Sequence, residues 1–125
     1  MGIERVFEDL PSSAVYAIHE HELRRGVDER EYERQVGEAI RNLRVPGLLH
    51  AIHLKGFKAQ REGKYAVLWI FENQEAIVRN FGTSDNPKHP ADWLHYENDV
   101  LAKFIDRKPD TINFTDYHAV SKISF

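Results

Sequence analysis

The chain has 125 residues, 42% of them hydrophobic, a formal net charge of -3 and no cysteine. That is one domain's worth of sequence with enough apolar content for a core, and it excludes disulfides, thiolate metal centres and cysteine nucleophiles. No apolar run approaches the ~20 residues of a membrane span, and the charge makes no global case for nucleic acid. The opening "MGIERVFEDL" carries charges where a secretory leader needs an apolar stretch. A cytoplasmic location, with neither a membrane nor a nucleic-acid partner, is the expectation.

Residues 1–13 read as an arm ending in the turn-prone "LPSS", and residues 14–125 as a single α+β domain. Ala14 to Leu23 alternates with period two, which predicts a first strand. Val15, Ala17, His19, His21 and Leu23 face one way; Tyr16, Ile18, Glu20 and Glu22 face the other. Asp28 is an N-cap with Glu31 three residues on. Tyr32, Val36, Ala39, Ile40 and Leu43 then share one face of a helix, which "VPG" at 45–47 ends. "LLHAIHLKGFKAQ" is a second strand, "REGK" at 61–64 a turn, and Tyr65 to Glu72 a third and most hydrophobic strand, so the pair reads as a hairpin. Asn73 caps a short helix, "QEAIVRNF", that stops at Gly82. Pro90 opens another helix, with Trp93, Val100, Leu101, Phe104 and Ile105 on its buried side. "DRKPD" breaks it, and "TINFTDYHAVSKI" is a final strand.

The order is that of a ferredoxin-like split βαβ: a four-stranded antiparallel sheet with helices on one face. The third strand is apolar on both sides, with Tyr65, Val67, Trp69 and Phe71 on one and Ala66, Leu68 and Ile70 on the other. Such a sheet needs a second cover, and a second copy of the chain is predicted to supply it, as a two-fold homodimer through the sheet face. Glu20 and Glu22 would face that seam, with Arg24, Lys55 or Lys122 as expected partners.

Gly26, a long helix from Val27 to Leu43, Pro46-Gly47 and the segment "LWIFENQEA" resemble the dimeric α/β-barrel superfamily, in its antibiotic-biosynthesis-monooxygenase-like branch. The resemblance covers roughly residues 14 to 121. It implies a dimeric α/β barrel with a pocket beneath the helices, and a cofactor-independent activity in its monooxygenases. Those sites use a polar residue on the first strand and a Trp at the end of the third. Counted back from Gly26, the first position falls on His19; counted back from Glu75-Ala76, the second falls on Phe71, with Trp69 two residues earlier on the same face. The helix from Gln74 to Phe81 holds no histidine, which argues against haem degradation.

His19 and His21 lie about 6.5 Å apart along one strand face. They read as hydrogen-bonded interior residues, as a general base near neutral pH, or as half of a metal site that lacks further ligands at diagnostic spacing. His53 and His118 join them only if the strand order allows. Trp69, Phe71, Trp93 and Tyr96 either fill the core or wall a pocket for a flat organic ligand. His95 and Asp99, at i and i+4, share a helix face. The expected function is a small homodimer binding an organic small molecule between sheet and helices, with His19 catalytic, His21, Trp69, Phe71, Trp93 and Tyr96 contacting the ligand, and no metal or cofactor. A cofactor-independent monooxygenase or an isomerase fits that site; a non-catalytic, stress-related dimeric module is the alternative.

Overall fold

The computed structural model describes residues 10–57, 64–105, 114–123 and 125. The expected arm at 1–9, most of the 61–64 turn, the "DRKPD" break and the start of the last strand at 111–113 lie outside them. Strands β1 (Val15–Glu22), β2 (Leu48–Lys55), β3 (Lys64–Phe71) and β4 (Phe114–His118) form one sheet in the order β2-β3-β1-β4. Every pairing is antiparallel. Helix α1 (Glu29–Arg41) joins β1 to β2, and helix α2 (Gln74–Phe81) follows β3. Helix α3 (Ala91–Leu94) continues as a π-helical turn, His95–Val100, and a 3-10 turn, Leu101–Lys103. This is the ferredoxin-like arrangement, with β1 and β3 central and β2 and β4 at the edges.

The alternation in β1 sets the two sides of the sheet. Val15, Ala17, His19 and His21 are buried beneath the helices, while Glu20 and Glu22 are exposed on the other face. Tyr65, Val67, Trp69 and Phe71 of β3 are likewise buried. Helix α1 starts where Asp28 accepts hydrogen bonds from the Arg30 and Glu31 backbone N–H groups, and it turns Tyr32 and Val36 into the core. Asn73 caps α2 by accepting from Ala76 N at 2.8 Å. Gly47 sits at φ +84°, where a Cβ would come within 2.6 Å of the Ala76 side chain, so only glycine lets the turn into β2 lie against α2.

Strand β2 carries an irregularity between Leu48 and His50. Leu48 is paired with Phe71, but His50 is already opposite Ile70. The extra residue reverses the phase of the strand. Ala51, His53 and Lys55, opposite Trp69, Val67 and Tyr65, therefore take the helix side.

The open face of the sheet exposes apolar side chains beside Glu20 and Glu22. Ile52 and Leu54 of β2 and Tyr117 of β4 are 47%, 43% and 52% exposed. One end of this face is covered from within: Leu10 is buried against Ile70 with Tyr16 and Leu68 beside it, and Lys122 Nζ donates to the Leu10 carbonyl at 2.8 Å. The cations expected to serve Glu20 and Glu22 are engaged elsewhere in the same chain. Lys55 bridges Glu29 and Glu33 on the helix side, Arg24 donates to the Lys103 carbonyl, and Lys122 holds Leu10. Among the described residues no helix is long and apolar enough to cross a membrane.

Candidate functional site

Two clusters divide the space between sheet and helices. The first holds Trp69, Trp93 and Tyr96. Each is at most 1% exposed, and the ring centroids of Trp69 lie 4.7 Å from Trp93 and 5.7 Å from Tyr96. Phe81 packs on Trp93 at 5.0 Å and on Phe71 at 5.9 Å. These rings fill their end of the core against one another.

The second cluster is polar and aromatic. His19 is fully buried at the centre of β1, and its ring lies 6.2 Å from that of His21. His21 Nε2 is hydrogen-bonded to Tyr32 Oη of α1. The same Tyr32 Oη is 2.9 Å from His53 Nε2 of β2. His21 also stacks on Tyr65 with the rings 14° from parallel. The sheet order thus brings His53 to the β1 histidines through Tyr32. It takes His118 away, because His118 pairs with Val15 at the far end of β1.

Burial penalises the charged form of each of these histidines. It pulls His19 down to about 4 and, with the neighbouring His19 and His53, pulls His21 down to about 3. His53 is also lowered by burial. Burial holds the Tyr32 phenol far above its ordinary range. At neutral pH the chain His21–Tyr32–His53 is therefore uncharged throughout.

His53 faces a cleft between α1 and β2, about 710 Å³ in volume, lined among others by Glu33, Arg41, Leu48, Lys55 and Tyr65. At its mouth Lys55 Nζ is 3.0 Å from Glu29 and 3.4 Å from Glu33. Tyr65 Oη points between the same two carboxylates. Its hydroxyl and Lys55 hold both carboxyls below their usual range. Among the described residues Arg41 has no carboxylate partner. None of Trp69, Phe71, Trp93 and Tyr96 lines this cleft. His95 and Asp99 meet at 2.8 Å on the exposed face of the last helical segment, as their spacing suggested. Among the described residues no group of three His, Asp or Glu side chains is placed to hold a metal ion.

Of the polar cluster, Tyr32 was expected only as a core residue of the first helix, and His53 only as a partner conditional on the strand order. Tyr32 is the one member of the apolar face of α1 with a polar tip, and that was the available signal. The facing of His53 had no signal in the sequence, since it depends on the irregularity at the start of β2.

No family model matches the chain, and no curated protein matches it. Solved structures do share its fold. A dimeric protein of unknown function and ferredoxin-like fold from Bacteroides fragilis is 16% identical, with a TM-score of 0.59 over 86% of this chain and 97% of that one. A dabb family protein of Mesorhizobium loti with a ferredoxin-like fold is 12% identical, with a TM-score of 0.59 over 86% and 98%. A variant of SnoaB, a cofactor-independent oxygenase from Streptomyces nogalater, is 13% identical, with a TM-score of 0.55 over 89% and 97%. The ferredoxin-like fold expected from the order of elements is thus the fold of this chain, and it is one that dimeric proteins and an oxygenase also use.

Proposed function

We propose that this chain forms a homodimer through its open sheet face, binds an organic small molecule in the cleft between α1 and β2, and acts on it as a cofactor-independent oxygenase. The observation that carries the reading is the row of uncharged rings, His21, Tyr32 and His53, that runs from the buried centre of the sheet to the cleft wall. Chemistry without a cofactor needs a shaped pocket and groups that hold or move a proton. The fold shared with SnoaB supports the same class of reaction. In this reading His19 and His21 belong to the proton-holding interior. Trp69, Phe71, Trp93 and Tyr96 form the stiff apolar backing that keeps it in place.

The test is dioxygen uptake with a naphthohydroquinone as substrate. Uptake is expected above the spontaneous rate, and it should fall by roughly 10²-fold in His53→Ala. Turnover of a carbonyl substrate with no dioxygen consumed would point instead to an isomerase. Uptake equal to the protein-free control ends the oxygenase reading.

The dimer has its own measurement. The exposed Ile52, Leu54 and Tyr117 side chains on the open face and the dimeric state of the Bacteroides fragilis protein support it. Sedimentation should give a dimer for the wild type and a monomer for Ile52→Asp, which puts an unpaired charge in the seam. A monomeric wild type at micromolar concentration would sink the two-fold barrel.

A second reading, a non-catalytic dimeric module, is favoured by one observation. Trp69, Trp93 and Tyr96 occupy the space a sheet–helix pocket would need. It predicts that hydroquinones leave the melting temperature unchanged.

A further inference from the structure

The hydroxyl of Tyr32 lies between two imidazole nitrogens, His21 Nε2 and His53 Nε2. A phenol has one proton to donate. That proton is used only if one imidazole donates to Tyr32 Oη and the other accepts from it; two donating imidazoles would leave the buried phenol O–H without an acceptor. Two polarities satisfy this condition, and they differ in which tautomer each histidine takes.

The surroundings of His21 choose between them. Its second ring nitrogen, Nδ1, is buried and has no hydrogen-bond partner among the described residues. If Tyr32 donated to His21 Nε2, the proton of His21 would sit on Nδ1 as a buried N–H with no acceptor. Buried orphan N–H groups are the rarer and costlier defect; a bare lone pair is tolerated better. His21 therefore carries its proton on Nε2 and donates it to Tyr32 Oη. Tyr32 donates onward to His53 Nε2. His53 is left with its proton on Nδ1, a nitrogen that makes no hydrogen bond to the described residues, on a side chain that lines the cleft.

We infer that His53 presents a fixed Nδ1–H donor to the cleft, and that the ligand it takes carries a carbonyl or phenol oxygen on which negative charge gathers. Tyr32 and His21 are positioning residues that lock the tautomer. A neutral imidazole so oriented stabilises an enolate or phenolate oxygen as an oxyanion donor does, and Arg41 on the same cleft adds a positive charge. The general base expected at His19 is thus joined by a group of the opposite role, an electrophilic donor. The inference rests on the cleft being the ligand site, as proposed above, but its first readout needs no ligand.

The experiment has two arms on the same protein. Imidazole nitrogen NMR of the wild type at pH 7 should show His53 as the Nδ1–H tautomer and His21 as the Nε2–H tautomer. Tyr32→Phe should return both to mixtures while circular dichroism stays unchanged. The second arm titrates 4-nitrophenol, whose phenolate is yellow. The protein should bind the phenolate at least tenfold more tightly than the neutral phenol, and Tyr32→Phe should remove most of that preference. His53 found as the Nε2–H tautomer, or an absent phenolate preference, overturns the inference. Either result leaves dioxygen uptake to be judged on its own assay, and failed uptake with the tautomers as stated would leave the donor in place.

Discussion

Acidification from pH 7 to pH 4 should destabilise this protein by an amount on the order of 5 kcal/mol, much of the 5–15 kcal/mol that holds a typical domain together. The cause is the pair His19 and His21. In the unfolded chain both titrate near 6.5. In the fold, burial holds His19 near about 4 and His21 near about 3. Between these values the unfolded state binds protons that the folded state refuses. Stability is therefore full above pH 6.5 and is lost as the pH falls toward 4 and then 3. Below that the histidine contribution is flat, and Glu29, Glu31 and Glu33 continue the loss because their partners hold them below the usual carboxylate range. Urea unfolding followed by circular dichroism at pH 7.5, 6, 5 and 4 reads the effect. A midpoint that stays constant from pH 7 to 5 would show that the two imidazoles are hydrated in solution. His19→Leu should flatten the dependence by about one proton.

Removal of Trp69 should be the costliest single truncation in the chain. Trp69→Ala is expected to lower stability by about 3–5 kcal/mol through lost burial and the cavity left behind. Trp69 is fully buried and touches both Trp93 and Tyr96, so no exposed loop can collapse into the void. Trp69→Phe should cost much less, because Trp69 Nε1 has no hydrogen-bond partner among the described residues and its removal leaves no orphan. Trp93→Ala should be nearly as severe, and the double variant less severe than the two singles added, since both open the same space. Equilibrium denaturation of the four proteins settles it. A Trp69→Ala cost below about 1 kcal/mol, outside the usual range for a core aromatic, would mean that these rings are loosely held. The backing they are proposed to give the polar cluster would go with it.

How much of this was readable in advance depends on the distance over which each feature is decided. The facing of β1, the Asp28 and Asn73 caps, the turn at Gly47 and the stop at Gly82 follow from near neighbours in the chain, and local sterics and hydrogen bonds set them. The burial of Trp69, Phe71, Trp93 and Tyr96 follows from period and hydrophobicity. The polar cluster is different. His21, Tyr32 and His53 come from three elements and meet only because β3 lies between β1 and β2 while α1 crosses above. His53 turns inward because one extra residue near Leu49 reverses the phase of β2, and a one-residue slip moves every later side chain to the other face. The amino-acid sequence by itself determined the elements, the apolar faces and the ferredoxin-like order, which are matters of local preference and periodicity. Only the tertiary structure decided that His21 of β1 connects through Tyr32 to a His53 that lines a cleft at the sheet edge, because strand register is chosen by packing across the sheet and not by the strand alone.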